Sequence, residues 1–360
     1  VSYDLPGRFF ARPEDAPVAW MGDNRRDWFG LADALDEMFR SSRAGYVVVG
    51  SDIGGYLDLD DQNLAGPVIP FSQTVFARWT AVGALSPFMQ LHGRANLTPW
   101  TVSERPDETV VLYRYWSTLH HELVPFFASL AEQGFASGPP FTPIVHPVGD
   151  PASWAGDYRY LLGDAFLVAP VLDDSGVRDV PLPGGARWYD WWSPASDAIP
   201  GGTTLTHFDS SDRAHVPLFV RDGAIVPVEV SSPLTGLGVT TAQGALTVLV
   251  YPAVAGSDFT VSEADGAHTQ IHTTRDATGG IVVDLTPVHR RTVLRVRADL
   301  PVTAATRDGT TMSPAPNRVG FDAGVSDFFY DPILRVAWVR IAAPSGPPGA
   351  TTRIALRPSP

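Results

Sequence analysis

Residues 17–28 read PVAWMGDNRRDW. A short apolar run, Pro17 to Met21, breaks at Gly22 and delivers one carboxylate, Asp23, ahead of Asn24, Arg25 and Arg26 and a helical pattern that begins near Trp28. A buried strand that stops at glycine, presents an acid and runs on into a helix is the way a (β/α)8 barrel carries an acid on its C-terminal rim.

The neighbouring sequence repeats this pattern. Upstream, residues 8–12 (RFFAR) read as a short strand ending in a basic residue and stopped by Pro13. Downstream, Leu31, Leu35, Met38 and Phe39 recur at helical spacing until Gly45, and YVVVG (46–50) is a wholly apolar strand of the buried parallel type. That strand ends in SDIGGY, residues 51–56. A helix is expected near Ser72 to Leu85, a short strand in PFMQLHG ending at His92, and a long helix from about Asp107 to Gln133 with Leu112, Trp116, Leu119, Leu123, Phe126 and Leu130 on one face. Three strand, loop and helix units in succession predict a parallel sheet, yet account for less than half a barrel.

After Gly138 the texture changes to short apolar segments punctuated by Pro, Gly and Asp, such as AFLVAPVL, RWYDWW and LFVRDGAIVPVE. A second shift comes near Ser231, beyond which Thr, Val and Gly dominate strands such as LTVLVYP, GIVVDL and RVAWVRIAA. The expected fold class is therefore α/β plus all-β: the C-terminal part of a (β/α)8 TIM barrel in 1–137, then two β-sandwiches in 138–230 and 231–360.

Composition narrows the function. In 360 residues, 44% apolar with 11% aromatics, a globular protein with full cores is expected. A net charge of -13 with no cluster of basic residues disfavours nucleic acid and anionic membrane as partners. No apolar run approaches the roughly 18 residues of a membrane span. Cysteine is absent, which excludes thiolate metal sites and Cys nucleophiles. Asp58, Asp60 and Asp61 read as an acidic loop rather than a calcium site, because the spaced ligands and later Glu of an EF-hand are missing.

WMGDN, then SDIGGY, the RW pair at 78–79 and PFMQLHG resemble the second half of the catalytic domain of glycoside hydrolase family 31. LLGDAFLVAPVL and GARWYDWW resemble that family's proximal C-terminal β-domain, and FTVSEADG a turn in its distal one. The resemblance implies that Asp23 is the general acid/base and that Trp20 lines the subsite of the scissile sugar. It further implies that Arg12 (with Arg8 as fallback) bonds sugar hydroxyls, that Asp52 and Tyr56 supply an acidic sugar contact and an aromatic wall, and that His92 completes the pocket. Arg78 and Trp79 sit in a predicted helix and read as bracing it.

The chemistry asks for these residue types. Retaining glycoside hydrolysis uses one carboxyl to protonate the leaving oxygen and later deprotonate water, and a second about 5–5.5 Å away as nucleophile. An acid beside an indole has its pKa raised by desolvation. Each residue also has a plainer reading: Asp23 as a helix N-cap, Asp52 as a structural acid in the Gly-Gly turn, His92 as a core histidine.

Departures from the family carry their own expectations. The family's nucleophile lies on a strand well before the acid/base, and only 22 residues precede Asp23 here. The chain also begins at Val1. The expected functional state is thus a fragment joined to an N-terminal part of the same protein, which supplies the nucleophile. Gln90 and Gln73 stand where the family often has Arg and an acidic residue, which weighs against an ordinary α-glucosidase and leaves galactose, xylose and sulfoquinovose open. The resulting expectation is a retaining α-glycoside hydrolase acting on α-linked oligosaccharides or glycosides, with no cofactor or metal. Transglycosylase, α-glucan lyase and a non-catalytic carbohydrate-binding or assembly fragment are the alternatives.

Overall fold

The computed structural model describes residues 11–60, 66–94, 97–150, 152–342 and 349–358. The chain falls into two compact units, one of residues 1–120, 130–182 and 202–218, the other of residues 121–129, 183–201 and 219–360.

The first unit opens with β1 (Val18–Trp20) and α1 (Trp28–Arg43), followed by β2 (Val48–Gly50) and α2 (Gln73–Ala84). β1 and β2 are parallel, with Trp20 opposite Gly50. Helix α1 starts where Asp27 accepts a hydrogen bond from the Gly30 amide at 2.9 Å, and Arg40 and Arg43 sit at its negative end. Its apolar stripe, Leu31, Ala34, Leu35, Met38 and Phe39, is buried. Ser72 caps α2 in the same way, accepting from the Val75 amide.

Three sequence expectations are corrected here. YVVVG is strand only over Val48–Gly50. PFMQLHG is not a regular strand: its contact with the sheet is a parallel bridge between Asp52 and Gln90, reinforced by the Ile53 amide donating to Gln90 O at 2.9 Å. The long helix is two, α3 (Pro106–Glu122) and α4 (Val124–Ala136), because Pro125 has no N–H to continue the ladder across Leu123. Arg8, the start of the 8–12 strand and Asp61 lie outside the described residues.

Further along this unit, β3 (Val145–Pro147), β4 (Tyr160–Leu162) and β5 (Phe166–Val168) form an antiparallel meander, and β6 (Val177–Pro181) pairs with β9 (Thr204–Asp209). Arg78 on α2 is 2% exposed and donates to the carbonyls of Ser210, Asp212 and His215. Burial pulls its pKa down to about 10. The RW arginine therefore braces a loop.

In the second unit, β7 (Arg187–Asp190) pairs with β8 (Ile199–Pro200) and with β10 (Leu218–Arg221). The rest is a β-sandwich. One sheet has the order β11-β12-β16-β20-β19, from β11 (Ile225–Val228), β12 (Leu246–Val250), β16 (Thr292–Arg297), β19 (Phe328–Asp331) and β20 (Val336–Ile341). The other has the order β13-β14-β15-β21-β17-β18, from β13 (Ser257–Ser262), β14 (His268–Arg275), β15 (Ile281–Thr286), β17 (Val302–Arg307), β18 (Thr310–Met312) and β21 (Thr352–Pro358). Val248, Val250, Leu294 and Val339 of the first sheet share one core with Ile271, Val283, Leu285 and Ile354 of the second. β12 and β16 are buried on both faces, since Val293 and Trp338 pack on the far side with Phe321 of α5 (Arg318–Asp322). β11 lies before position 231 yet forms an edge of this sheet.

Candidate active site

The site grows from the ends of β1 and β2. Met21 N donates to Gly50 O at 3.1 Å, and the chain then turns through Gly22 at φ 83°, a conformation that costs a side-chain-bearing residue energy. Asp23 emerges from this turn. Asn24, 5% exposed, is held against α1 by Asp33 and Glu37, both at 3.4 Å. The loop after β1 is stitched to the loop after β2 by Leu57 N donating to Asn24 O and Arg26 N donating to Leu57 O. The two loops therefore hold Asp23 between them.

Gly50 is required for a different reason: a Cβ there would stand 2.0 Å from Phe88 O. Only hydrogen lets residues 88–90 run alongside β2 and bring Gln90 to Asp52. Asp52 has no exposed surface. Its Oδ1 accepts from Trp20 Nε1 at 2.9 Å and from Gln90 Nε2 at 2.5 Å, while its Oδ2 is buried without a partner. Ser51, next to it, is fixed by Trp79 Nε1 at 2.8 Å, so the RW tryptophan also serves as a brace.

Electrostatics couple the acids. Burial raises the pKa of Asp23, and His92 opposes the shift. Burial likewise raises that of Asp52, opposed by the Gln90 and Trp20 hydrogen bonds and by His92 and reinforced by the charge of Asp23. Tyr56 packs on His92 with ring centroids 5.1 Å apart. Trp20, Asp23, Asp52, Tyr56 and His92 thus form one constellation, with Gln90 inside it.

Arg12 does not join them. Its side chain is 73% exposed and pairs with Asp15 at 2.9 Å and Glu14 at 4.0 Å, the carboxylates of its own turn. Gln73 faces away as well, bonded through its amide N–H to Glu104 and through its side chain to Arg105 and Glu108. Gln90 is the site residue that sequence reasoning treated only as a departure. The available signal was its position two residues before His92, which places both on one side of an extended segment. Among the described residues, no group of three or more His, Asp and Glu side chains is arranged to hold a metal ion.

Residues 8–130 match the glycosyl hydrolases family 31 TIM-barrel domain, and residues 138–226 match the glycosyl hydrolase family 31 C-terminal domain, together more than half the chain. The chain belongs to glycosyl hydrolase family 31. Among its family 31 relatives, a 1,3-alpha-isomaltosidase of Kribbella flavida is 30% identical over 201 residues, covering 51% of this chain and 26% of the relative. Neutral alpha-glucosidase C of Mus musculus is 30% identical, covering 62% and 24%. The chain thus spans about a quarter of the length of these curated relatives. The cycloalternan-forming enzyme from Listeria monocytogenes, solved in complex with a pentasaccharide substrate, superposes with a TM-score of 0.79 at 22% identity, over 94% of this chain and 32% of its own. At that identity the likeness is one of fold, and it agrees with a barrel part followed by β-domains.

Proposed function

We propose that this chain carries the acid/base half of a retaining α-glycosidase site. Asp23 protonates the glycosidic oxygen as the bond from it to the anomeric carbon breaks, and a carboxylate from outside these 360 residues takes up the anomeric carbon as a glycosyl ester. Water then attacks that carbon, gives its proton to Asp23 and releases the carboxylate. The observation that carries this reading is the placement of Asp23 on a barrel-type rim, half-buried so that its pKa rises, beside a second acid and a histidine. A raised pKa keeps the acid protonated above the ordinary carboxylate range, the form that the first step needs.

Trp20, Tyr56 and His92 are assigned to the sugar pocket and Asp52 to its floor, and Arg12 is retained only if its turn rearranges in the complete site. The substrate is an α-linked oligosaccharide or glycoside, in keeping with the names of the relatives. The functional form includes an N-terminal part of the same protein. The division into 1–137, 138–230 and 231–360 stands as a proposal, with β11 joining the distal sheet.

Because a fold relative forms cycloalternan, glycosyl transfer to a sugar is the second reading. NMR of the first product formed by the complete protein from an aryl α-glycoside separates the outcomes. A free α-anomer appearing first supports retaining hydrolysis. A β-anomer first, a longer saccharide as main product or an unsaturated sugar would each replace it.

A further inference from the structure

On the face of β12, β16 and β20 turned away from the shared core of the sandwich, a cavity of about 20 Å³ lies under α5. Thr247, Arg291, Arg318, Asp322, Trp338 and Arg340 stand in its wall. Strand register brings them together. Thr247 pairs with Val293 and Val293 with Arg340, so the three form one row on one face. Trp338, two residues before Arg340, points to that face as well. Arg318 reaches over from α5, with its guanidinium carbon 3.8 Å from the centre of the Trp338 ring.

The wall carries an excess of positive charge. Three guanidiniums share it with one carboxylate, Asp322, both of whose oxygens already accept from Arg318 Nε at 2.9 Å. Asp327, 3.9 Å from Arg340 Nη1, is largely in solvent. Arg340 donates to Phe321 O and Arg291 to Gln243 O, one Nη each. The polar atoms left over are donors. Trp338 Nε1 and Thr247 Oγ1 are buried without a partner among the described residues, in side chains 1% and 0% exposed. The Nε of Arg295, the cross-strand neighbour of Trp338, is in the same condition. An indole or guanidinium N–H can only donate, and a hydroxyl can do so. A water molecule would bring donors of its own to this wall, whereas an anion brings acceptor capacity alone.

We propose that this cavity is a halide site, in which chloride accepts from Trp338 Nε1 and Thr247 Oγ1 in the field of Arg291, Arg318 and Arg340. Volume decides for a monatomic guest: about 10–15 Å³ suffices for one water molecule, and a tetrahedral oxyanion is larger than that. Thr241, also in the wall, and Arg291 are exposed, so the ion exchanges with solvent while the sandwich stays folded. Because the ion is held by β12, β20 and α5 together only in the folded sandwich, its binding stabilises that domain by mass action.

The test is thermal unfolding of the complete protein in sodium gluconate, with gluconate replaced stepwise by chloride or bromide at constant ionic strength. Either halide raises the midpoint by about 3 °C or more along a saturating curve. Thr247→Val keeps the side chain's shape and removes one donor, and Trp338→Phe removes the other. Each raises the half-saturating chloride concentration by about tenfold or more. Half-saturation is the readout, so a variant that is merely less stable remains informative. The stabilisation by sulfate, which acts through exclusion from the surface, stays the same in both variants. Anomalous scattering from crystals of the complete protein grown in bromide places the ion against Trp338 Nε1. A midpoint indifferent to halide, a half-saturation unchanged in Thr247→Val, or bromide absent from the cavity would each overturn the proposal.

Discussion

Along β15 in the sandwich, buried and half-buried residues alternate from Ile281 to Thr286, with strands paired on both sides for five residues or more. At the barrel rim the pairing is a three-residue parallel register between β1 and β2, followed by a single bridge at Asp52 and Gln90. The sandwich is held by repeated pairing and by a shared apolar core in which each fully buried aliphatic side chain contributes about 1.5–3 kcal/mol. The rim is held by a few individual contacts, Gly50 against Phe88, Trp79 on Ser51, Asn24 on α1, and those contacts flank Asp23 and Asp52. Continuous pairing carries the sandwich, whereas at the rim regular pairing stops and single contacts hold the chain around one half-buried acid, Asp23, and one fully buried acid, Asp52.

Substitutions in the two regions can break this contrast. The largest stability effect is expected in the sandwich: Leu285→Ala empties a site with no exposed surface and should cost about 2–5 kcal/mol in denaturant unfolding, with kcat/KM per folded molecule unchanged. A loss below about 1 kcal/mol would show that the core is not the support described. Gly50→Ala at the rim should cost less, about 1–3 kcal/mol, because the chain at Phe88 can shift to admit a methyl group. That shift carries Gln90 away from Asp52, so activity falls even where the protein remains folded; normal kinetics would remove Gly50 from the account. Trp20→Phe is the mildest, deleting one of two hydrogen bonds to Asp52 Oδ1 for about 1 kcal/mol, with its effect read as a raised KM for α-glycosides.

The same contrast explains what was legible in the sequence. Helix α1 is readable because Leu31, Leu35, Met38 and Phe39 keep one period and Asp27 supplies the cap. The sandwich strands are readable because alternation or continuous burial is written residue by residue. The break at Leu123 was hidden by an apolar face that continues through it, although Pro125 was in view. At the site, Trp20, Asp23, Asp52, Tyr56 and His92 were identified by type and order, and the structure gathers them. Arg12 stands apart from them, its guanidinium engaged by Glu14 and Asp15 of the turn that follows it. The partnership of Gln90 with Asp52 was not legible, since it depends on how closely residues 88–90 approach Gly50, a distance that no local pattern encodes.

The role of Asp23 is tested most directly by kcat/KM for aryl α-glycosides of graded leaving-group acidity, measured across pH on the complete protein and on Asp23→Ala. A protonated Asp23 is the working form and its pKa is raised, so the unaltered protein should lose activity toward alkaline pH as that carboxyl ionises, above the ordinary carboxylate range. In Asp23→Ala the alkaline limb should vanish, poor leaving groups should slow by about 10²–10⁴-fold and activated ones far less. Undiminished turnover of a substrate with a poor leaving group would contradict the assignment.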